Sequence, residues 1–327
     1  MAVSAHTVNL GSTGWVGIAA ASNGTIYAAP TTAGTFLKVN PTTEAFSKLG
    51  GFSTNYSWAG AFRAPSGYIY CVPHGSGSSG VLRINPSTDG ASIVGSDAGS
   101  SGGEWWGGAM VGATIVAAPY ASTSVLLFNT ATETSSKLTG IPSGGAKWSG
   151  GAASNGGIVY CAPSRHGQVL RINPSAGTWS LIGSFGTTSN YKWINAVRGS
   201  DGRIYCGPVA SDSVLCIDPT TDSTSLIPVP GHSSGGTSGW TMATLGTDGL
   251  LYMLPVLSGT VKTFNPTTGV FTTVASGIPG NFQFAVQVGD KLFASPHEGN
   301  YLLVIEGVVR RPRTSVGILV ARARSSS

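Results

Sequence analysis

Seven aromatic residues, Trp15, Trp58, Trp106, Trp148, Trp193, Trp240 and Phe282, recur at intervals of 42 to 48 residues. Exposed around one opening, such a set could stack on the faces of sugar rings or hold a cation over its π-systems. Buried, each ring would instead wedge between neighbouring structural units. Recurrence in every unit suits that second role, because a binding site seldom needs seven equal members. Tyr56 and Lys192 precede two of these rings and His166 lies between two others; with the seven aromatics they form the candidate ligand-contacting set.

Other chemistry is sparse. Of five histidines, His74, His166 and His297 occupy equivalent loops of different repeats, so their spacing does not bring metal ligands together and no metal is expected. The 13 acidic residues are equally scattered. Asp201 and Asp248 sit in turns, while Asp218 and Glu306 replace an otherwise recurrent Asn, so no acid–base pair stands out. There is no G-x-S-x-G elbow, no H-E-x-x-H and no phosphate loop, which leaves an enzyme unsupported and no cofactor implied. Cys71, Cys161 and Cys206 share one repeat position, filled elsewhere by Ala28, Ala117, Met253 and Ala294, and read as small buried packing groups. Cys206 and Cys216 lie on neighbouring segments of one hairpin, and a register placing them opposite each other would allow a disulfide.

The elements that position these residues are legible in residues 193–226. An aromatic opens the segment, an Asp201-Gly202 turn follows, and Ile204-Tyr205-Cys206-Gly207-Pro208 makes a short apolar run. A second run closes at Asp218-Pro219-Thr220-Thr221, and a last one ends at Leu226. Four short apolar runs separated by turn residues describe one four-stranded antiparallel sheet. The prolines Pro30, Pro73, Pro119, Pro163, Pro208, Pro255 and Pro296, and the endings Asn40-Pro41, Asn85-Pro86, Asn173-Pro174 and Asn265-Pro266, put the copies in register. One such sheet cannot bury both faces alone, so the copies must pack on one another. The expected fold is all-β: a seven-bladed β-propeller over residues 1–306, with four antiparallel strands per blade. His6 to Leu10 matches a fourth strand, and the seventh repeat supplies only three, so the N-terminal segment is expected to close the last blade.

Charge and loop chemistry bound the partners. Only 9% of residues are charged, and five of the 18 basic residues (Arg310, Arg311, Arg313, Arg322 and Arg324) lie in residues 307–327, which contain no acid. The propeller is therefore neutral and offers no nucleic-acid face, while this basic C-terminal tail is the candidate anchor for an acidic partner. Its Val316-Gly317-Ile318-Leu319-Val320 run could add a strand to a blade or to another chain. No apolar run reaches the length of a membrane span, and Met1 to His6 lacks the basic and apolar regions of a secretory signal, so cytosolic synthesis is expected. The loops joining first to second and third to fourth strands are short and uniform. Those joining second to third strands, and the links between blades, differ from one copy to the next. That variable face is the expected meeting place with a partner.

The segments Val214-Leu215-Cys216-Ile217-Asp218-Pro219-Thr220-Thr221 and Asp248-Gly249-Leu250-Leu251-Tyr252 resemble the paired motifs of YVTN and NHL propeller repeats. The resemblance runs over all seven copies and implies a fold shared by binding scaffolds, surface-layer proteins and some lyases. The lyase-type set of His and acid is not recognisable. The function expected is a non-enzymatic binding or structural module. A low-charge exterior rich in Ser, Thr and Gly without an export signal suits a bacteriophage virion protein, such as a fibre, tail-tip or capsid-decorating component. Its variable face would recognise a receptor, a carbohydrate or another virion protein. The alternatives are a lyase- or glycosidase-type propeller enzyme with a site at the channel mouth and an intracellular scaffold.

Overall fold

The computed structural model describes residues 3–52, 57–75, 77–78, 80–95, 103–233, 239–256 and 258–309. Tyr56, the five tail arginines and the Val316 to Val320 run lie outside them. The described residues form antiparallel strands and no helix, arranged as a seven-bladed propeller. Blades 1 to 5 are separate four-stranded sheets, and blades 6 and 7 are joined by a single pairing of Val256 with Asn281. The ring closes as the repeat arithmetic requires. The N-terminal strand Ser4–Asn9 pairs antiparallel with Tyr301–Glu306, from Ser4 opposite Glu306 to Asn9 opposite Tyr301. The chain beyond Glu306 does not leave at once: Val308 is buried between blades 6 and 7, and its carbonyl accepts from Thr247 and Gln287.

The recurrent Asn at the end of each third strand has a local cause. Its side-chain oxygen caps the following turn, as when Asn40 Oδ1 accepts from the backbone of Thr42 and Thr43 at 2.9 and 3.2 Å. Asn85, Asn129, Asn173 and Asn265 do the same, and Asp218 replaces Asn without loss because only an acceptor is needed.

The opening aromatics are wedges. Each blade interface holds one apolar cluster with one such ring at its centre, Trp58 between blades 1 and 2 for example, and Phe282 between blades 6 and 7. Their exposures lie between 0 and 6%. In six blades the indole Nε1 donates to a carbonyl at the start of the third strand, as Trp15 does to Thr35 at 2.7 Å and Trp193 to Ser213 at 2.8 Å. Burying a ring of this size removes about 150–250 Å² from water, roughly 4–6 kcal/mol. None of these seven wedges, with Trp105 in place of Trp106 in blade 3, offers a face to a ligand.

Blade 3 corrects the register read from the sequence. Its wedge is Trp105, which pairs with Pro119 as Trp58 pairs with Pro73, and which donates to Ser124 O at 2.9 Å. Trp106 is displaced to the centre of the disc. The hairpin of blade 5 keeps its two cysteines apart, and both are buried packing groups. Cys206 lies opposite Leu215 and Cys216 opposite Tyr205, so the two thiols belong to different blade interfaces, and all four cysteines are free.

Candidate functional site

The innermost strand of every blade is bulged just after its opening aromatic. A bulge bends the strand and aims one residue at the axis. In blades 1 to 4 that residue is Gly17, Gly60, Gly107 or Gly150, and crowding explains the choice. A Cβ on Gly17 would lie 2.3 Å from the backbone of Gly60, and one on Gly60 would lie 2.8 Å from Gly107. Blade 5 places Asn195 there, at φ 58°, and its amide donates to the carbonyl of Gln283 in blade 7. Blade 7 contributes Phe284, whose ring reaches across to Gly107.

One residue earlier, nearer the variable face, stands a second ring of side chains with a pronounced asymmetry. Blades 1 and 2 supply Val16 and Ala59, blade 4 Ser149 and blade 5 Ile194; blade 3 supplies Trp106. The indole packs on Val16 and Ala59 and so fills that side of the axis. Its Nε1 donates to Gln283 Oε1 at 3.0 Å. His74 and His297 meet it edge-on with centroids 4.6 and 5.5 Å away, and Tyr120 packs beside it at 5.7 Å. The other side of the axis stays open as a cavity of about 470 Å³, a size suited to a small ligand.

Two walls of this cavity are apolar, one of Trp106 and Tyr120, the other of Ile194, Val209, Val256 and Tyr191. Polar groups lie between them. The Arg165 guanidinium stacks over the Tyr191 ring at 4.5 Å, and the hydroxyls of Tyr191 and Tyr120 bond at 3.1 Å. Three lining side chains hold a buried polar atom without a hydrogen-bond partner in the protein: Arg165 Nε, Asn281 Oδ1 and His297 Nδ1. Buried polar atoms are normally paired, so three on the side chains lining one cavity set this lining apart. Glu298 is the acid of this lining.

Burial holds both imidazoles below the ordinary histidine value. In His74 it outweighs the opposing bond to the Trp105 carbonyl, and in His297 it outweighs the charge of Glu298. Both are therefore neutral near pH 7, and His74 Nδ1 carries the proton donated to Trp105 O at 2.8 Å. Burial pushes the Tyr120 phenol well above its usual value. Among the described residues no group of three His, Cys, Asp or Glu is placed to hold a metal ion, and no helix is long and apolar enough to cross a membrane.

The sequence candidates divide accordingly. His166 stacks on the wedge Trp148 at 4.4 Å, and Lys192 donates to His166 O and Gly186 O at 2.9 and 2.7 Å. Together they tie a variable loop of blade 4 to the link before blade 5, beside Arg165, and burial draws the Lys192 ammonium down to about 8. Arg165, Tyr120, Tyr191, Asn281 and Gln283 carry no repeat signature and were not among the candidates. The Trp105-Trp106 doublet, which occurs once in the chain, was the available signal: one ring serves the interface and its neighbour the axis.

No protein-family model matches the chain, and no curated protein is similar to it in sequence. Solved structures are similar in fold. The selenomethionine-substituted virginiamycin B lyase from Staphylococcus aureus superposes with a TM-score of 0.75 at 10% identity, covering 93% of this chain and 99% of that one. A catalytically inactive variant of that lyase with quinupristin gives 0.73 at 10% identity, with the same coverage. The extracellular domain of a one-component system from B. thetaiotaomicron gives 0.66 at 9% identity, over 94% of this chain and 43% of that one. A chain of the mitotic checkpoint complex gives 0.68 at 8% identity, covering 94% and 91%. At these identities the likeness is one of fold, and the fold is the β-propeller.

Proposed function

We propose that the protein is a recognition module that takes a small molecule, or the end unit of a larger one, into the axial cavity on its variable face. The observation carrying this reading is the set of unpartnered buried atoms on Arg165, Asn281 and His297, all of which line one cavity. Packing alone would have paired them, since an orphaned buried polar group costs about 1–3 kcal/mol. The variability of the surrounding loops and the diversity of partners named for its structural neighbours support the same reading. So does the use of acids in holding blades together, because it leaves Glu298 as the carboxylate at the cavity. The virion placement, with residues 307–327 as the anchor, is the finer form of this proposal and rests on composition.

An enzyme at the same mouth is the second reading. It is favoured by the neutral His297 with a free Nδ1 beside Glu298, and by the lyases among the structural neighbours. A fragment screen by ligand-observed NMR tests the first. Hits that compete for one site and are lost in Asn281→Ala support it; hits indifferent to that change refute it. Retained binding with loss of turnover of a hit in His297→Gln would transfer the assignment to an enzyme.

A further inference from the structure

The cavity has the chemistry of a particular ligand class. Arg165 has no carboxylate within ion-pair distance among the described residues, whereas the clasps between blades pair Lys38 with Asp89, Arg83 with Glu133, Arg171 with Asp222 and Lys291 with Glu44. Its guanidinium lies over the Tyr191 ring, and its Nε is buried without a hydrogen-bond partner in the protein. A guanidinium edge is a planar fork that matches a carboxylate. One such cation and one acid, Glu298, in the same lining suit a single negative charge better than a phosphate dianion. Around that charge the walls alternate. The ring of Trp106 and the Ile194, Val209 and Val256 surface are apolar, whereas Ser149, Asn281 and Gln283 are hydroxyl and amide groups. A pyranose has the same alternation, with apolar ring faces and a polar rim.

We infer that the axial cavity binds a carboxylate-bearing sugar unit, its carboxylate on the Arg165 edge and its hydroxyls read by Asn281 and the neighbouring amide and hydroxyl groups. This rests on the reading of the cavity as a recognition site and specifies its ligand. A terminal or free acidic sugar fits, because a cavity of about 470 Å³ holds one such unit. Tyr191 acts twice here, holding the guanidinium from behind and bonding Tyr120 across the cavity.

The test is calorimetric titration of the full chain with the methyl glycosides of glucuronic, galacturonic and N-acetylneuraminic acid, each beside its methyl ester. The ester keeps ring and hydroxyls and removes the charge. Binding of at least one acid, with its ester tenfold or more weaker, is expected. Arg165→Gln should weaken the acid by about tenfold to a hundredfold, the usual range for a charge-assisted pair, and leave the ester unchanged. Unchanged thermal unfolding of Arg165→Gln would show the variant folded. Equal affinity for acid and ester, indifference to Arg165→Gln, tighter binding of glucose 1-phosphate than of any acid, or no binding by any of the three acids would each overturn the proposal. Hits from the fragment screen that require Asn281 but carry no carboxylate would leave the recognition reading standing and remove only this one.

Discussion

The hydroxyl of Tyr27, on the second strand of blade 1, donates to Asp89 Oδ1 at 2.6 Å, and Asp89 belongs to a turn of blade 2. The contact recurs wherever the chain permits it. Tyr70 reaches Glu133 of blade 3 at 2.9 Å and Tyr160 reaches Asp222 of blade 5 at 2.5 Å. Each acid sits at the same turn position with a positive φ of 57–58°. The cations Lys38, Arg83 and Arg171 complete these clasps. Where the next blade has glycine at that position, Gly177 or Gly269, the preceding blade offers Val116, or else Tyr205, which turns back to Asp201 of its own blade at 2.7 Å. The last interface uses Lys291 and His6 on Glu44.

Removing either partner of a clasp should loosen one interface without touching the core. Tyr27→Phe and Asp89→Ala are each expected to cost about 1–2 kcal/mol, with non-additive effects because both delete one bond. A double-mutant cycle from denaturant unfolding measures the coupling. Additive losses would mean that the contact does not hold the blades.

The same clasps set the behaviour in acid. Burial would raise the carboxyls of Asp89 and Glu44, but the bonds from Lys38 and Tyr27, and from His6 and Lys291, outweigh it and hold both below their ordinary values of 3.8 and 4.5. The unfolded chain therefore takes up these protons at a higher pH than the folded chain. The stabilisation is complete above about pH 5 and is lost as pH falls through the lowered values. Unfolding free energy measured between pH 6 and pH 3 should drop, and the drop should be shallower in Lys38→Met. Parallel curves would refute the assignment.

The blade count, the closing strand and the wedge positions were legible in the sequence because they repeat. Seven registers of Trp and Pro constrain one another, so a single misplacement, Trp106 for Trp105, does no harm to the fold. The site was not legible for the opposite reason. Arg165, Tyr191 and the pair Asn281 and Gln283 come from separate parts of the ring and matter because they break the repeat, and nothing in one chain says which exceptions meet at the axis. The acids looked scattered for a related cause. Their partners are about 50 to 60 positions away in the neighbouring blade, beyond any local pattern.

Trp105 and Trp106 should separate by function. Trp105→Ala removes a fully buried wedge and is expected to cost about 3–5 kcal/mol, with Ser124 O left unpaired. Trp106→Phe keeps most of the ring and loses the bond to Gln283, about 1 kcal/mol. Thermal unfolding should therefore be far more sensitive to the first, and ligand affinity to the second. Equal destabilisation would place Trp106 among the wedges.

The four thiols should be silent in the folded protein. Cys71, Cys161 and Cys206 are fully buried, and burial pushes Cys161 up to about 12, so no thiolate is available near pH 8. Ellman's reagent should titrate no thiol in the native protein and four in denaturant. A pair lost to oxidation would contradict the register of blade 5.

Ring closure gives the strongest prediction. Deleting residues 1–10 leaves Tyr301–Glu306 as an open edge and removes the six residue pairings that tie the chain's beginning to its last blade. It also uncovers Leu302 and Val304, which pack with Val8 and Leu10 against blade 1. An unpaired apolar edge is a template for association, so the truncated chain should lose its cooperative unfolding transition and aggregate. A synthetic peptide of residues 1–12 should restore solubility by filling the vacant strand, whereas the same peptide with Val8→Asp should fail, because that position faces the core cluster. A truncated chain that stays monomeric and unfolds as sharply as the full one would show that the ring does not depend on this strand.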